Sequence, residues 1–277
     1  MLIPFTKMHG IGNDFVLIDN RSGDLKLSSD VVRRLADRRF GIGCDQVLVA
    51  AQPRTAAADV AMQIYNTDGS HAGQCGNGLR CFAVFMRDAG AITGGEAHIE
   101  TPGGVVRTQI MESGIVRASM GDPPELDPER VPILGHVQAA EYTLMIEGAP
   151  VVLGAVSMGN PHAVVNVGNV DSAPVTTLGP AIQASGVFPE GVNVGFMQVL
   201  SPQQIRLRVF ERGVGETLAC GSGACAAVVV GQIQGKLGRR VQVHLPGGAL
   251  DIEWQGPGSA VIMSGPTAFV FKAEVQI

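Results

Sequence analysis

Two cysteines of this chain stand in the same short frame, CGNG at 75–78 and CGSG at 220–223. Other segments recur in the same order at nearly the same separation, about 145 positions. GND, with Asn13, is matched by GNP, with Asn160; PGG at 102–104 returns at 246–248; MGDP from Met120 is answered by MSGP from Met263. Each PGG lies inside a run of alternating apolar residues. Four ordered matches at near-constant spacing are the mark of a duplication. A chain of 277 residues could bury one large core or two medium ones, and built this way it is expected to fold as two similar halves.

Within each half, short β-branched runs such as FVLID (15–19), QVLVA (46–50) and VVRTQI (105–110) are separated by Gly, Asn, Asp and Pro and read as strands. The 37 glycines, beside one tryptophan and two tyrosines, fit many tight turns between short strands. One helix interrupts each set. NGLRCFAVFMRDAG (77–90) and SGACAAVVVGQIQGKLG (222–238) are apolar on nearly every face and too long for ordinary strands. The expected fold is α+β: two pseudo-symmetric domains, each a sheet or barrel-like layer wrapped round one central buried helix. Each CGxG frame then marks a helix N-terminus.

A formal charge of -5, with 20 Lys and Arg against 25 Asp and Glu and no basic tract, argues against a nucleic-acid partner. The start MLIPFTKMHG has neither the basic nor the long apolar region of a signal peptide, and no window approaches a membrane span, so a cytosolic protein with no membrane partner is expected. The five cysteines (44, 75, 81, 220 and 225) are not spaced as a disulfide framework and are read as reduced thiols. Cys44, Cys81 and Cys225 are taken as small buried hydrophobes; Cys75 and Cys220 are set apart by their duplicated frame. His71, Cys75 and Cys81 lack zinc-site spacing, and no CxxC pair exists, so no metal is expected. GIG and GVG lack the rest of a nucleotide loop and are read as turns. His9 is read as structural.

A thiol at a helix N-terminus ionises more easily, because free N–H groups and the macrodipole favour negative charge there. The same N–H groups hold a carboxylate without Lys or Arg. Approximate twofold symmetry would bring the two helix starts face to face across a cleft, with two thiols flanking one substrate atom. That arrangement suits racemisation: one thiolate removes an α-proton while the opposing thiol delivers one to the other face. The helix N-termini would stabilise the enolate-like charge. Pyridoxal phosphate would need a Schiff-base lysine, and Lys7, Lys26, Lys236 and Lys272 have no phosphate-binding context, so no cofactor is expected.

With KMHGIGNDFVLID, NTDGSHAGQCGNGLRC, GNPHAV, GVNVGF and ERGVGETLACGSGACAA, the chain closely resembles the diaminopimelate epimerase family over both halves. The resemblance implies interconversion of LL- and meso-diaminopimelate, without cofactor or metal, on the route to lysine and cell-wall precursor. It implies that Cys75 and Cys220 are the catalytic cysteines and that backbone N–H groups at Gly76, Asn77, Gly221 and Ser222 hold the α-carboxylate. Asn13, Gln46, Asn66, Asn160, Asn193, Glu211 and Arg212 then line the pocket, and His162 is a neighbour that helps set the charge of a thiol. The implied domains are 1–118 plus 263–277, and 119–262, in a chain that forms a homodimer. The competing readings are a proline racemase-like enzyme of the same fold, and a non-catalytic amino-acid-binding protein. The ERG motif and the several asparagines favour a substrate with a second amino acid head.

Overall fold

The structure, a computed structural model, describes residues 2–73, 75–121, 124, 133 and 139–277. Gln74, which precedes the first cysteine of the repeat, lies outside the described residues. The chain divides into two units, Met1–Gly121 with Ser264–Ile277, and Asp122–Met263.

The first unit runs β1 (Leu2–Gly10), β2 (Asn13–Asp19), α1 (Ser29–Ala36), β3 (Gln46–Ala51), β4 (Val60–Asn66), α2 (Gly76–Asp88), β5 (Glu96–Thr101), β6 (Gly104–Ile110) and β7 (Val116–Ser119). The second runs β8 (Tyr142–Ile146), β9 (Ala149–Ser157), β10 (Pro161–Asn166), α3 (Val175–Ala184), β11 (Asn193–Ser201), β12 (Gln204–Glu211), β13 (Gly215–Thr217), α4 (Gly221–Ile233), β14 (Arg240–Leu245) and β15 (Gly248–Glu253). After β16 (Ile262–Gly265) the chain ends in β17 (Ala268–Gln276), which belongs to the first unit.

Strand pairing repeats the sequence duplication. In the first unit β1–β2 is antiparallel, β2–β3 parallel, β3–β4 antiparallel, β4–β5 parallel and β5–β6 antiparallel. In the second the same series is β9–β10, β10–β11, β11–β12, β12–β14 and β14–β15. The final strand β17 lies antiparallel beside β1, as β8 does beside β9.

FVLI (15–18) is apolar without interruption because its sheet is buried on both faces. Successive side chains of a strand point to opposite sides, so Phe15 and Leu17 join the core around α2 while Val16 and Ile18 join a second core with Val32 and Leu35 of α1. Both long apolar runs are helices, including the three valines at 228–230. Ala224, Ala226 and Ala227 favour the helix, and α4 packs on β9, β10, β11, β12 and β15, so β-branched residues find apolar partners on every side.

Each half carries a second helix that the sequence reading passed over. α1 is only eight residues long, and its start is fixed by the Ser28 hydroxyl, which accepts the Val31 amide. α3 contains Gly179 and Pro180, both poor helix formers; it packs on β11 and β12, with Gly179 against the Phe210 ring, so tertiary contact overrides propensity. Among the described residues no helix is long and apolar enough to cross a membrane.

Candidate active site

The expected site residues fall at matching places in the two repeats. Asn13 opens β2 and Asn160 stands directly before β10. Gln46 and Asn193 open β3 and β11, Asn66 and Glu211 close β4 and β12, and Cys75 and Cys220 cap α2 and α4. Strand register gathers them within each unit, since Gln46 pairs with Phe15 and Asn66, and Asn193 pairs with His162.

In the first unit, Cys75 has extended backbone (φ -151°) and its sulfur accepts the Gly78 amide at 3.2 Å. Asn77, one residue into the helix after Gly76, donates from Nδ2 to Asn13 Oδ1 at 3.2 Å, and Asn13 Nδ2 donates to Asp45 Oδ2 at 2.7 Å. Gln46 Nε2 donates to Asn66 Oδ1 (3.1 Å), Asn66 Nδ2 to Ser70 Oγ (3.1 Å), and the Ser70 hydroxyl to Asp68 Oδ1 (2.6 Å). Asn13 is presented by a two-residue turn in which Ile11 (φ 48°) and Gly12 (φ 91°) are both left-handed. Glycine adopts this freely, whereas a buried β-branched residue does so at a cost of about 1–3 kcal/mol. His9 supports the turn, its Nδ1 accepting the Gly12 amide at 3.3 Å. Next to Asn13, Asp14 receives Lys7 Nζ at 2.6 Å and both terminal nitrogens of Arg38. Burial raises its pKa, but those bonds and charges outweigh it and lower the carboxyl to about 2. An apolar recess lined by Met62, Ile64, Leu79, Val106 and Met120 adjoins Cys75 and Gly76.

In the second unit the sulfur is in a different electrostatic setting. Cys220 is buried and donates to Glu211 Oε2 at 3.2 Å, while Glu211 Oε1 accepts the Thr217 hydroxyl at 2.5 Å. Burial pushes the Cys220 thiol well above its ordinary range, and the Glu211 charge and hydrogen bond add to the shift. The Gly223 amide and the Ser222 hydroxyl, 3.7 Å from the sulfur, act in the opposite sense. His162 is 1% exposed and its Nε2 lies 3.1 Å from Asn160 Oδ1, so in this orientation Nε2 carries the ring proton. Burial, then the Arg212 charge, lowers its pKa to about 3. Asn193 Oδ1 accepts the Arg212 amide at 2.9 Å, and the Arg212 guanidinium donates to the Glu190 carbonyl.

Both cysteines depend on the glycine three residues later. A Cβ on Gly78 would sit 3.0 Å from Cys75 Sγ, and one on Gly223 would sit 3.2 Å from Cys220 Sγ, inside ordinary contact. Cys44 and Cys81 differ in place: burial pushes each thiol up to about 12, as it raises Cys220, but Cys44 precedes β3 and Cys81 lies inside α2, so neither stands at a helix N-terminus. Among the described residues, no three His, Cys, Asp or Glu side chains gather as a metal-binding set. Asp45, Ser70, Thr217 and Arg80 touch the expected site residues, Asp68 holds Ser70, and all five were missed in the sequence. Arg80 was the most visible of them, as a charged residue directly before the apolar run CFAVFM.

A sequence profile described as Diaminopimelate epimerase matches residues 5–125 and 154–270, which include every site residue above. The chain belongs to the diaminopimelate epimerase family. As a member of the diaminopimelate epimerase family it is an isomerase. Diaminopimelate epimerases of Alkalilimnicola ehrlichii and Thioalkalivibrio sulfidiphilus are 53% and 54% identical to it, each match covering 100% of both chains. The duplicated fold is shared more widely: a hydroxyproline epimerase from Agrobacterium vitis superposes with a TM-score of 0.71 at 17% identity, over 99% of this chain and 92% of that one.

Proposed function

We propose that this chain interconverts LL- and meso-diaminopimelate, with Cys75 and Cys220 exchanging the α-proton and with no cofactor. The observation that carries the reading is the pair of cysteines capping equivalent buried helices, Cys75 accepting the Gly78 amide and Cys220 donating to the Glu211 carboxylate. Inversion requires a proton to leave one face of the α-carbon and another to arrive on the opposite face. A single residue would return the proton to the face it came from. With Cys75 as thiolate, the Cα–H bond breaks and an S–H bond forms; Cys220 then gives its proton to the carbanion and becomes the thiolate. The reverse reaction starts from Cys220, whose proton Glu211 is placed to hold.

The α-carboxylate gathers negative charge as the proton leaves. Backbone N–H groups of Gly76, Asn77, Gly221 and Ser222 belong to first helical turns, where the positive dipole end favours an anion. Asn13, Gln46, Asn66, Asn160, Asn193, Glu211 and Arg212 recognise the remaining polar groups of the substrate. His162, neutral and buried, acts through the Asn160 side chain that it orients. The family resemblance adds that the enzyme is a cytosolic homodimer acting on free diaminopimelate.

The reduced protein, incubated with LL-diaminopimelate in D2O with chelator and no added cofactor, is expected to yield meso product carrying deuterium at the inverted carbon. Cys75→Ala and Cys220→Ala are each expected to abolish that conversion with circular dichroism unchanged. A protein that binds the substrate but leaves its α-hydrogen in place would refute the catalytic reading, and near-native turnover by either variant would refute the two-cysteine exchange.

A further inference from the structure

Asn13 lies in a hydrogen-bond relay whose two ends, Arg80 and Asp45, have a hydrogen-bonding sense that cannot be reversed. Arg80, in the second turn of α2, is fully buried. A guanidinium has only donors, and Nη2 of Arg80 donates to Asn77 Oδ1 at 2.9 Å while Nη1 donates to the Gly76 carbonyl at 3.4 Å. With its oxygen turned to Arg80, Asn77 must present Nδ2 to Asn13 Oδ1, and the two lie 3.2 Å apart. Asn13 must then turn its own Nδ2 to Asp45 Oδ2, 2.7 Å away. An ionised carboxylate has only acceptors. The other Asp45 oxygen is occupied by Arg38 Nη2 at 2.8 Å, and Oδ2 also takes the Asp14 amide at 3.1 Å.

The relay runs from a donor-only group to an acceptor-only group, so only one orientation of both amides satisfies it. Flipping Asn77 would set NH2 against a guanidinium and oxygen against oxygen. Flipping Asn13 would set its oxygen against the carboxylate. Gly10 makes the space for this arrangement: a Cβ there would fall 3.3 Å from Arg80 Nη2 and 3.5 Å from Asn77 Cβ.

We propose that Arg80 and Asp45 are positioning residues that fix the hydrogen-bond polarity of Asn13, and through it the recognition of the substrate's charged groups. The proposal rests on the reading that Asn13 binds substrate. Once both relay bonds are made, Asn13 keeps one N–H and one oxygen lone pair, each in a set direction. Every amino acid head of diaminopimelate carries a carboxylate that accepts and an ammonium that donates. A freely flipping amide would accommodate these groups in either order, whereas a locked one accepts a single order.

The test is steady-state kinetics on LL-diaminopimelate with Arg80→Met, Arg80→Lys, Asp45→Ala, Asn13→Ala and the double variants, each checked by circular dichroism. Arg80→Met and Asp45→Ala are each expected to raise KM about tenfold while kcat stays within about threefold, the size of one neutral hydrogen bond lost from binding. Arg80→Lys, which keeps a donor-only end, should lie closer to the native enzyme. The two ends do not touch, so independent structural effects would multiply to about a hundredfold; ends of one relay should give about tenfold together, and neither should add to Asn13→Ala. Multiplying effects, an unchanged KM, or a loss confined to kcat would overturn the proposal. Should Arg80→Met fail to fold, Asp45→Ala alone and in the Asn13→Ala background decides the matter, since Asp45 is partly exposed. If Asn13→Ala raises KM but Asp45→Ala and Arg80→Met do not, only the relay fails. If Asn13→Ala leaves KM unchanged, the substrate-binding reading of Asn13 fails with it.

Discussion

Cys220 donates its thiol proton to Glu211 Oε2 at 3.2 Å, whereas Cys75, at the same place in the other repeat, accepts the Gly78 amide at 3.2 Å. One position that differs is the strand end that supplies the carboxylate. Glu211 closes β12 where Asn66 closes β4, and Asn66 donates to Ser70. Duplication supplied two like thiols, and an acid in place of an amide made them unlike.

Replacing Glu211 by Gln removes the only carboxylate described on the Cys220 sulfur while leaving an oxygen for the Thr217 hydroxyl. Turnover is expected to fall by about 10²–10⁴, the usual worth of a positioned acid or base, with the fold retained. Steady-state kinetics beside circular dichroism checks this, and a loss of less than about tenfold would remove Glu211 from proton handling.

The same asymmetry should appear in alkylation. Cys75 is partly exposed, whereas Cys220 is buried with its thiol pushed up, and Cys44, Cys81 and Cys225 are buried. Brief iodoacetamide treatment near pH 7.5, followed by peptide mass mapping, should label Cys75 first and inactivate in proportion. Equal labelling of Cys220 would contradict the burial and charge described for it.

The duplication, the strand runs and both buried helices were legible because each rests on a local pattern: a repeated frame, uninterrupted β-branched runs, and apolar stretches too long for strands. α1 and α3 were not, since one is eight residues long and the other contains Gly179 and Pro180. The correspondence of Gln46 with Asn193, and of Asn66 with Glu211, was hidden because residue types changed while positions in the strands did not. Asp45 and Thr217 act through long-range or cross-strand bonds that no linear motif announces. Arg80 stood inside the quoted motif, but its partner Asn77 draws meaning only from Asn13, 64 residues away.

Gly78→Ala and Gly223→Ala set two effects against each other. Alanine favours a helix over glycine by about 1 kcal/mol. The new methyl, however, would meet Cys75 Sγ at 3.0 Å and Leu48 Cδ1 at 3.1 Å in one case, and Val209 Cγ2 at 3.1 Å and Cys220 Sγ at 3.2 Å in the other. Overpacking of this kind costs about 1–3 kcal/mol, so stability should drop modestly or stay level. Activity should drop far more, by about a hundredfold, because the methyl displaces the reacting sulfur. Thermal melts read with kinetics separate the two, and full activity in both variants would show that the sulfurs tolerate displacement.

His162 ties acid stability to the second unit. Its folded pKa, about 3, lies below the unfolded value of 6.5, so between these limits the unfolded chain binds a proton that the folded chain refuses. Stability therefore rises with pH through this window and is lost on acidification, at about 1.4 kcal/mol per pH unit below 6.5. Asp14, lowered from 3.8 to about 2, and Glu96 and Glu100, held below their ordinary 4.5 by Arg107 and Arg54, also lose stabilisation in acid, but mostly below about pH 4.5, so the histidine dominates the range from pH 6 to 4.5. Urea unfolding across that range should lose about 2 kcal/mol in the native chain, and His162→Gln, which cannot be protonated there, should flatten the slope. An unchanged slope in the variant would mean that the acid-sensitive group lies elsewhere, and that His162 is not held neutral against Asn160 and the charge of Arg212.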